Sequence, residues 1–152
     1  MSENEDPRSK TPAMDQQLAQ ALPQLSPEQV AEVSPKLTRE TYGPGQVIIQ
    51  QDDLPDHFYI VISGRAEVLH EDLSGKTETV DVRQPGEYFG ETGLIQNRPR
   101  SATVRASADG DVELLAMDRD DFEEMLDDSR ATEMHVAQEM LQRLIRLANA
   151  QT

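Results

Sequence analysis

The segment Gly90-Glu91-Thr92-Gly93-Leu94 and, nine positions after Glu91, the group Arg100-Ser101-Ala102 hold the residues whose types and spacing could do chemistry. Glycines at 90 and 93 let backbone approach a ligand, because no side chain stands in the way. If residues 91–94 open a short helical turn, its unpaired N–H groups attract an anion. Arg100 offers a planar fork of donors that stays charged at any working pH, which suits a phosphate. Ser101 adds a hydroxyl, and Ala102 leaves room beside it. Glu91 would repel a phosphate, so it reads as an acceptor for a sugar hydroxyl. The set suits a small ligand carrying both an anion and a sugar diol. Taken singly, a Gly-Glu pair is a turn with a solvated carboxylate and an Arg-Ser pair is surface; order and spacing carry the reading.

The elements that must position these residues are legible around them. Runs rich in β-branched and aromatic residues at 46–50, 58–62 and 65–69, then 77–82, 101–106 and 112–117, are separated by turn signals such as Ser63-Gly64, Leu73-Ser74-Gly75-Lys76 and Asp109-Gly110. Short strands at this regular spacing, from about Leu37 to Met117, predict a closed all-β sandwich or roll. Ser26-Pro27-Glu28-Gln29 is a capping box with proline at the first helical position, and Leu25 and Val30 are placed as a hydrophobic staple. This predicts a helix to about Val33, ended near Ser34-Pro35. Asp118 is expected to cap a helix through Phe122, Met125 and Leu126, and a longer helix is expected from about Arg130 to Asn149.

Three groups of residues closely resemble the landmarks of cyclic-nucleotide-binding domains: Tyr42-x-Pro44-Gly45-x-Val47-Ile48, Phe58-Tyr59-Ile60-Val61-x-x-Gly64, and Pro85-Gly86-x-x-Phe89-Gly90-Glu91. The last, continued to Arg100-Ser101-Ala102, is similar to that family's phosphate-binding cassette, commonly written FGE-x-x-L…R-[ST/A]-A. The resemblance implies a mainly β fold with flanking helices. It would be an eight-stranded, jelly-roll-like β-roll with an N-terminal helix, a short cassette helix and a C-terminal lid and dimerisation helix. It also implies a cyclic-nucleotide site made by Phe89, Gly90, Glu91, Thr92, Gly93, Leu94, Arg100, Ser101 and Ala102. One departure is visible: Asp52-Asp53 stands where the family usually has glycine followed by an acidic residue, in a turn where aspartate tolerates a left-handed conformation.

The last helix carries two readings. Met134, Ala137, Leu141, Leu144 and Ala148 recur at heptad spacing, and Val136, Met140, Ile145 and Leu147 widen the apolar face. The helix either lies on the roll or serves twice, closing over the ligand and pairing with a second copy through this seam, as in the family. A hinge is expected near residues 127–130. Arg143 is a candidate polar contact from the lid into the site, with a solvated side chain weighed slightly ahead. Serine after the cassette arginine resembles bacterial cAMP receptors of the catabolite-activator type, whereas threonine there is the commoner mark of cGMP-selective domains. An ungapped alignment from Phe122 puts Leu147 and Ala148 where such receptors contact adenine through hydroxyls, leaving Asn149 as a substitute. The expected ligand is cAMP, with cGMP the alternative.

Composition bounds the rest. The chain has 152 residues with 29 acidic against 14 basic, a net charge of −15. That is large enough for one domain with a real core, and it argues against a nucleic-acid surface, which needs clustered Lys and Arg. The expected division is a flexible acidic, partly helical tail over 1–25, a binding roll over 26–128 and a lid helix over 129–152. Within the tail, residues 1 to about 12 are expected to be disordered and 14–22 to form one or two helical turns. The expectation is a sensor without an attached effector, read by a separate protein partner, with no membrane span, no secretory signal and, without cysteine, a cytoplasmic setting. His57, His70 and His135 are scattered without a His-x-His pair, which argues against a metal-dependent enzyme of the cupin type, so no metal, no cofactor and no catalytic residue are expected. A third class, a docking module that kept the fold and lost its ligand, is disfavoured by intact Glu91, Arg100 and Ser101.

Overall fold

The computed structural model describes residues 7–150, with side chains from 13 to 149. Eight strands form two four-stranded sheets. One has the order β1 (Thr38–Tyr42), β8 (Val112–Asp118), β3 (His57–Ser63), β6 (Tyr88–Phe89), and the other β2 (Val47–Ile49), β7 (Thr103–Ala106), β4 (Ala66–Glu71), β5 (Thr77–Arg83), with every pairing antiparallel. Helices α1 (Pro7–Ala21), α2 (Pro27–Val33), α4 (Arg119–Asp128) and α5 (Arg130–Ala150) flank the roll, and the short α3 (Glu91–Gln96) interrupts it after β6. This is the expected mainly β roll with flanking helices.

The first sheet is buried on both faces, so β3 and β8 read as near-continuous apolar runs. Phe58, Ile60, Leu115 and Met117 face the helices. Their neighbours Tyr59, Val61, Leu114 and Ala116 face the second sheet, meeting Ile49, Val68, Val104 and Ala106. Alternation along each strand thus divides one sheet between two apolar layers. Phe122 of α4 stacks on Phe58 with ring centroids 4.8 Å apart, tying the helical layer to the sheet. The Ser26 capping box forms as its residues dictate: Ser26 Oγ accepts from the Gln29 N–H at 3.1 Å, and Gln29 Oε1 accepts from the Ser26 N–H at 2.9 Å.

The N-terminal segment differs from expectation. α1 begins at Pro7, and Leu18 and Leu22 are fully buried beside Ala21 and Leu25 in the layer that holds Val30, Val33 and Val136. An apolar face at that spacing has a core to join, so residues 14–25 are part of the fold rather than a tail. Of the disordered tail expected over residues 1 to about 12, residues 1–6 lie outside the described residues, and the rest falls within α1.

α5 carries two faces. Thr132, Val136 and Met140 are buried, and Arg143 and Leu147 continue the same face over the roll. Met134 and Leu141 of the expected seam, with neighbouring Ile145, point outward at 55, 57 and 60% exposure, whereas Leu144 of that seam lines the cleft. The chain breaks between α4 and α5 at Ser129, whose φ of −137° and ψ of 92° are extended. Its Oγ accepts from the Thr132 N–H at 3.3 Å and donates to Thr132 Oγ1 at 2.7 Å, so the break is capped as well as bent.

Candidate functional site

α3 opens at Gly90, whose φ of +92° an L side chain rarely adopts; a Cβ there would lie 2.9 Å from the His57 carbonyl oxygen. A Cβ on Gly93 would lie 3.0 Å from the Pro55 Cβ. Both glycines therefore close the cassette against the segment that enters β3. That packing reason stands beside the ligand approach inferred from sequence.

Arg100 is 6% exposed. Its Nη1 donates to the Gly90 carbonyl and its Nη2 to the His57 carbonyl, each at 2.8 Å, while Asp56 Oδ1 stands 3.9 Å from Nη2. The backbone of Arg100 is pinned by the turn at 52–53: the Asp52 N–H donates to the Arg100 carbonyl at 2.9 Å, and the Arg100 N–H to the Asp53 carbonyl at 2.8 Å. Asp52 occupies the left-handed region at φ 78°, a conformation aspartate tolerates in a turn. Burial pulls the guanidinium below its ordinary value, with Tyr59, Asp56 and Glu91 opposing; arginine stays a cation regardless.

Glu91 is 2% exposed, and both its oxygens are engaged. Oε1 accepts from Arg143 Nη1 at 2.8 Å, and Oε2 from the Thr92 hydroxyl at 3.0 Å. Arg143 also lies 4.7 Å over the Tyr88 ring and has Glu139 3.7 Å from its Nε. The side chain weighed toward solvent from sequence is thus largely buried, because a carboxylate and an aromatic face offset its desolvation.

These groups line one cleft. Phe89, Gly90, Glu91, Thr92, Gly93, Arg100, Ser101 and Ala102 of the expected set line it, as do Arg143 and Leu147 from α5. Leu94 is buried in the helical layer instead, and Asn149 is exposed and not part of the lining. Apolar walls come from Ile49, Val68, Val80, Val104, Leu144 and Leu147.

Sequence reasoning missed Asp81, Arg83 and Arg146, which also line the cleft. Asp81 Oδ2 accepts from Arg83 Nη1 at 2.7 Å and from Arg146 Nη1 at 2.9 Å, and its Oδ1 accepts from the Val82 N–H at 2.9 Å. Burial works to raise the Asp81 carboxyl, but the Arg83 and Val82 hydrogen bonds and the two cations hold it below the usual range. Arg83 is only 7% exposed, and its buried Nε has no partner. The cleft therefore holds four arginines (83, 100, 143 and 146) against two carboxylates (81 and 91), locally cationic in a chain of net charge −15. Arg100 therefore does not act alone against the chain's negative field.

A β-roll that turns a buried arginine and a buried glutamate from one glycine-bracketed helix and loop into one cleft defines a domain of the cyclic-nucleotide-binding class. The chain belongs to that family, the cyclic nucleotide-binding domain, whose model matches residues 39–129. It is 38% identical over 89 residues to an uncharacterized ABC transporter ATP-binding protein of Mycobacterium tuberculosis, covering 54% of this chain and 27% of the relative. The chain therefore spans about a quarter of that curated relative's length. Among solved structures it is similar to the regulatory domain of Toxoplasma gondii PKA with cAMP, with TM-score 0.79, 26% identity, and coverage of 88% of this chain and 51% of that one. It is also similar to the Thermus thermophilus catabolite activator protein, with TM-score 0.71, 31% identity, and coverage of 87 and 61%. Domains of this class are regulatory. Among the described residues no helix is long and apolar enough to cross a membrane.

Proposed function

We propose that this chain is a non-catalytic, cytoplasmic sensor that binds a cyclic nucleotide, cAMP ahead of cGMP, and passes the event to a protein partner through α5. The observation that carries the reading is the convergence of buried Arg100 and buried Glu91 on one cationic cleft. Phosphate binds at Arg100 and Ser101, where a charged fork meets a hydroxyl. A ribose hydroxyl is accepted by Glu91. The relative solved with cAMP supports the choice of ligand.

α5 closes the cleft through Arg143, Leu144 and Leu147, so a ligand that binds better with α5 docked shifts the population toward that state. Rotation at Ser129 would move the lid. Calorimetric titration with cAMP and cGMP tests the proposal; binding at micromolar concentration or tighter is expected, and no heat with either nucleotide would remove it.

The outward stripe Met134, Leu141 and Ile145 is proposed to pair with a second copy at the expected seam. A charge at its centre cannot be buried unpaired. Leu141→Asp should therefore convert a dimer into a monomer by light scattering, while a parent chain already monomeric would leave α5 as a lid only.

A further inference from the structure

Arg100 and Ser101 sit in a frame that the end of β4 completes. On one side, the Asp52 N–H and the Asp53 carbonyl clamp the Arg100 backbone. On the other, Thr103 pairs with Leu69, and its Oγ1 accepts from the Gln51 N–H at 2.9 Å and from Gln50 Nε2 at 3.3 Å. Gln51 is fixed in turn on the last residue of β4. Its Nε2 donates to the Glu71 carbonyl at 3.0 Å, and its Oε1 accepts from the Glu71 N–H at 2.9 Å. Between these two anchors, Ser101 and Ala102 have one protein hydrogen bond among the described residues, and it comes from His70.

His70 Nδ1 stands 3.1 Å from the Ser101 carbonyl oxygen. A carbonyl only accepts, so Nδ1 carries the proton and donates. Ala66 and Val68 face the interior of the roll, and alternation along β4 puts His70 on the same side, one step beyond Val68 in the cleft wall. Its cross-strand partner Glu78 is bonded to Lys76 at 3.0 Å and leaves the imidazole to Ser101. A peptide unit is planar, so one donor on the Ser101 carbonyl sets the whole Ser101–Ala102 plane. The Arg100–Ser101 plane before it is already held by the Asp52 N–H. With both planes fixed, the Cα–Cβ bond of Ser101 keeps one direction in the cleft that Ser101 lines.

Resting on the sensor reading, we propose that His70 is a positioning residue of the phosphate site, acting through Ser101 to hold its hydroxyl where the anion of a cyclic nucleotide meets it. His70 is not among the residues that line the cleft, so its effect on the ligand passes through the Ser101 backbone.

The test is a double-mutant cycle on the full chain, read by calorimetric titration with cAMP: the parent, His70→Leu, Ser101→Ala and the double variant. His70→Leu should weaken binding by about 3- to 10-fold, the worth of one neutral hydrogen bond. Ser101→Ala should weaken it at least as much. Adding His70→Leu to Ser101→Ala should then change affinity by less than about 2-fold, because no hydroxyl remains to be positioned. His70→Asn puts an amide N–H in the place of the lost donor and should restore most of the parent affinity. His70→Val, apolar and at home in a strand, repeats the cycle if His70→Leu folds poorly. A hydrogen bond that served stability alone would leave the loss the same with serine or alanine at position 101. That result, unchanged affinity in either single variant, or a His70→Asn variant no better than His70→Leu would overturn the proposal. A parent chain that binds neither cAMP nor cGMP would overturn the sensor reading itself, whereas binding without the coupling overturns only the role of His70.

Discussion

Arg100→Ala is expected to lower affinity for cyclic nucleotide by about 100-fold or more, because a desolvated phosphate loses its charge-assisted, bidentate partner. Titration of the variant beside the parent chain measures it, and unchanged affinity would defeat the assignment of the phosphate site. Arg100 also holds the carbonyls of Gly90 and His57. Its removal leaves those oxygens buried, and a stability loss of about 1–3 kcal/mol is expected from that alone. The two effects separate in Arg100→Lys, which keeps the charge and loses the fork. Lysine should recover part of the affinity but cannot span both carbonyls, so its melting temperature should stay near that of the alanine variant.

The sequence was most informative where a local rule and a spacing coincided. The cassette residues are close in sequence, and a glycine at the mouth of α3 with an arginine nine residues after Glu91 leaves few ways to arrange them. The capping box at Ser26 and the cap at Asp118 were equally local, and both formed. Asp81 and Arg83 were hidden because strand alternation, read without the bulge at Val80, puts Val80 and Val82 inward and the charges outward. Only the cross-strand register with Val68 reverses that assignment. The inward weight of Arg143 had the same cause at longer range. Its partners Glu91 and Tyr88 are more than fifty residues away in sequence, and nothing in the helix itself announces them. α1 was read as tail because its apolar face is short, and its burial depends on the layer formed by α2, β3 and α5.

Glu91→Gln joins the site to the lid and has the second large effect. Glu91 and Arg143 are a nearly dry ion pair, their side chains 3 and 10% exposed. Neutralising the carboxylate leaves Arg143 with Glu139 at 3.7 Å and the Tyr88 ring. Breaking a buried pair on one side costs about 3–5 kcal/mol. Glutamine keeps an acceptor oxygen, so a loss toward the lower end is expected, read as a drop in thermal midpoint. The companion variant Arg143→Met still covers Tyr88 but leaves the Glu91 carboxylate buried with only the Thr92 hydroxyl, so it should cost at least as much, and the double variant should be more stable than the sum of the singles predicts, by the coupling of residues in contact. Additive losses would show that the pair does not hold α5 to the cassette. The ligand supplies the second readout: the parent chain should discriminate against a cAMP analogue lacking the ribose hydroxyl, and Glu91→Gln should bind the two more nearly alike. A variant that loses stability but keeps the discrimination would assign Glu91 to the lid contact alone and move ribose recognition to another group in the cleft.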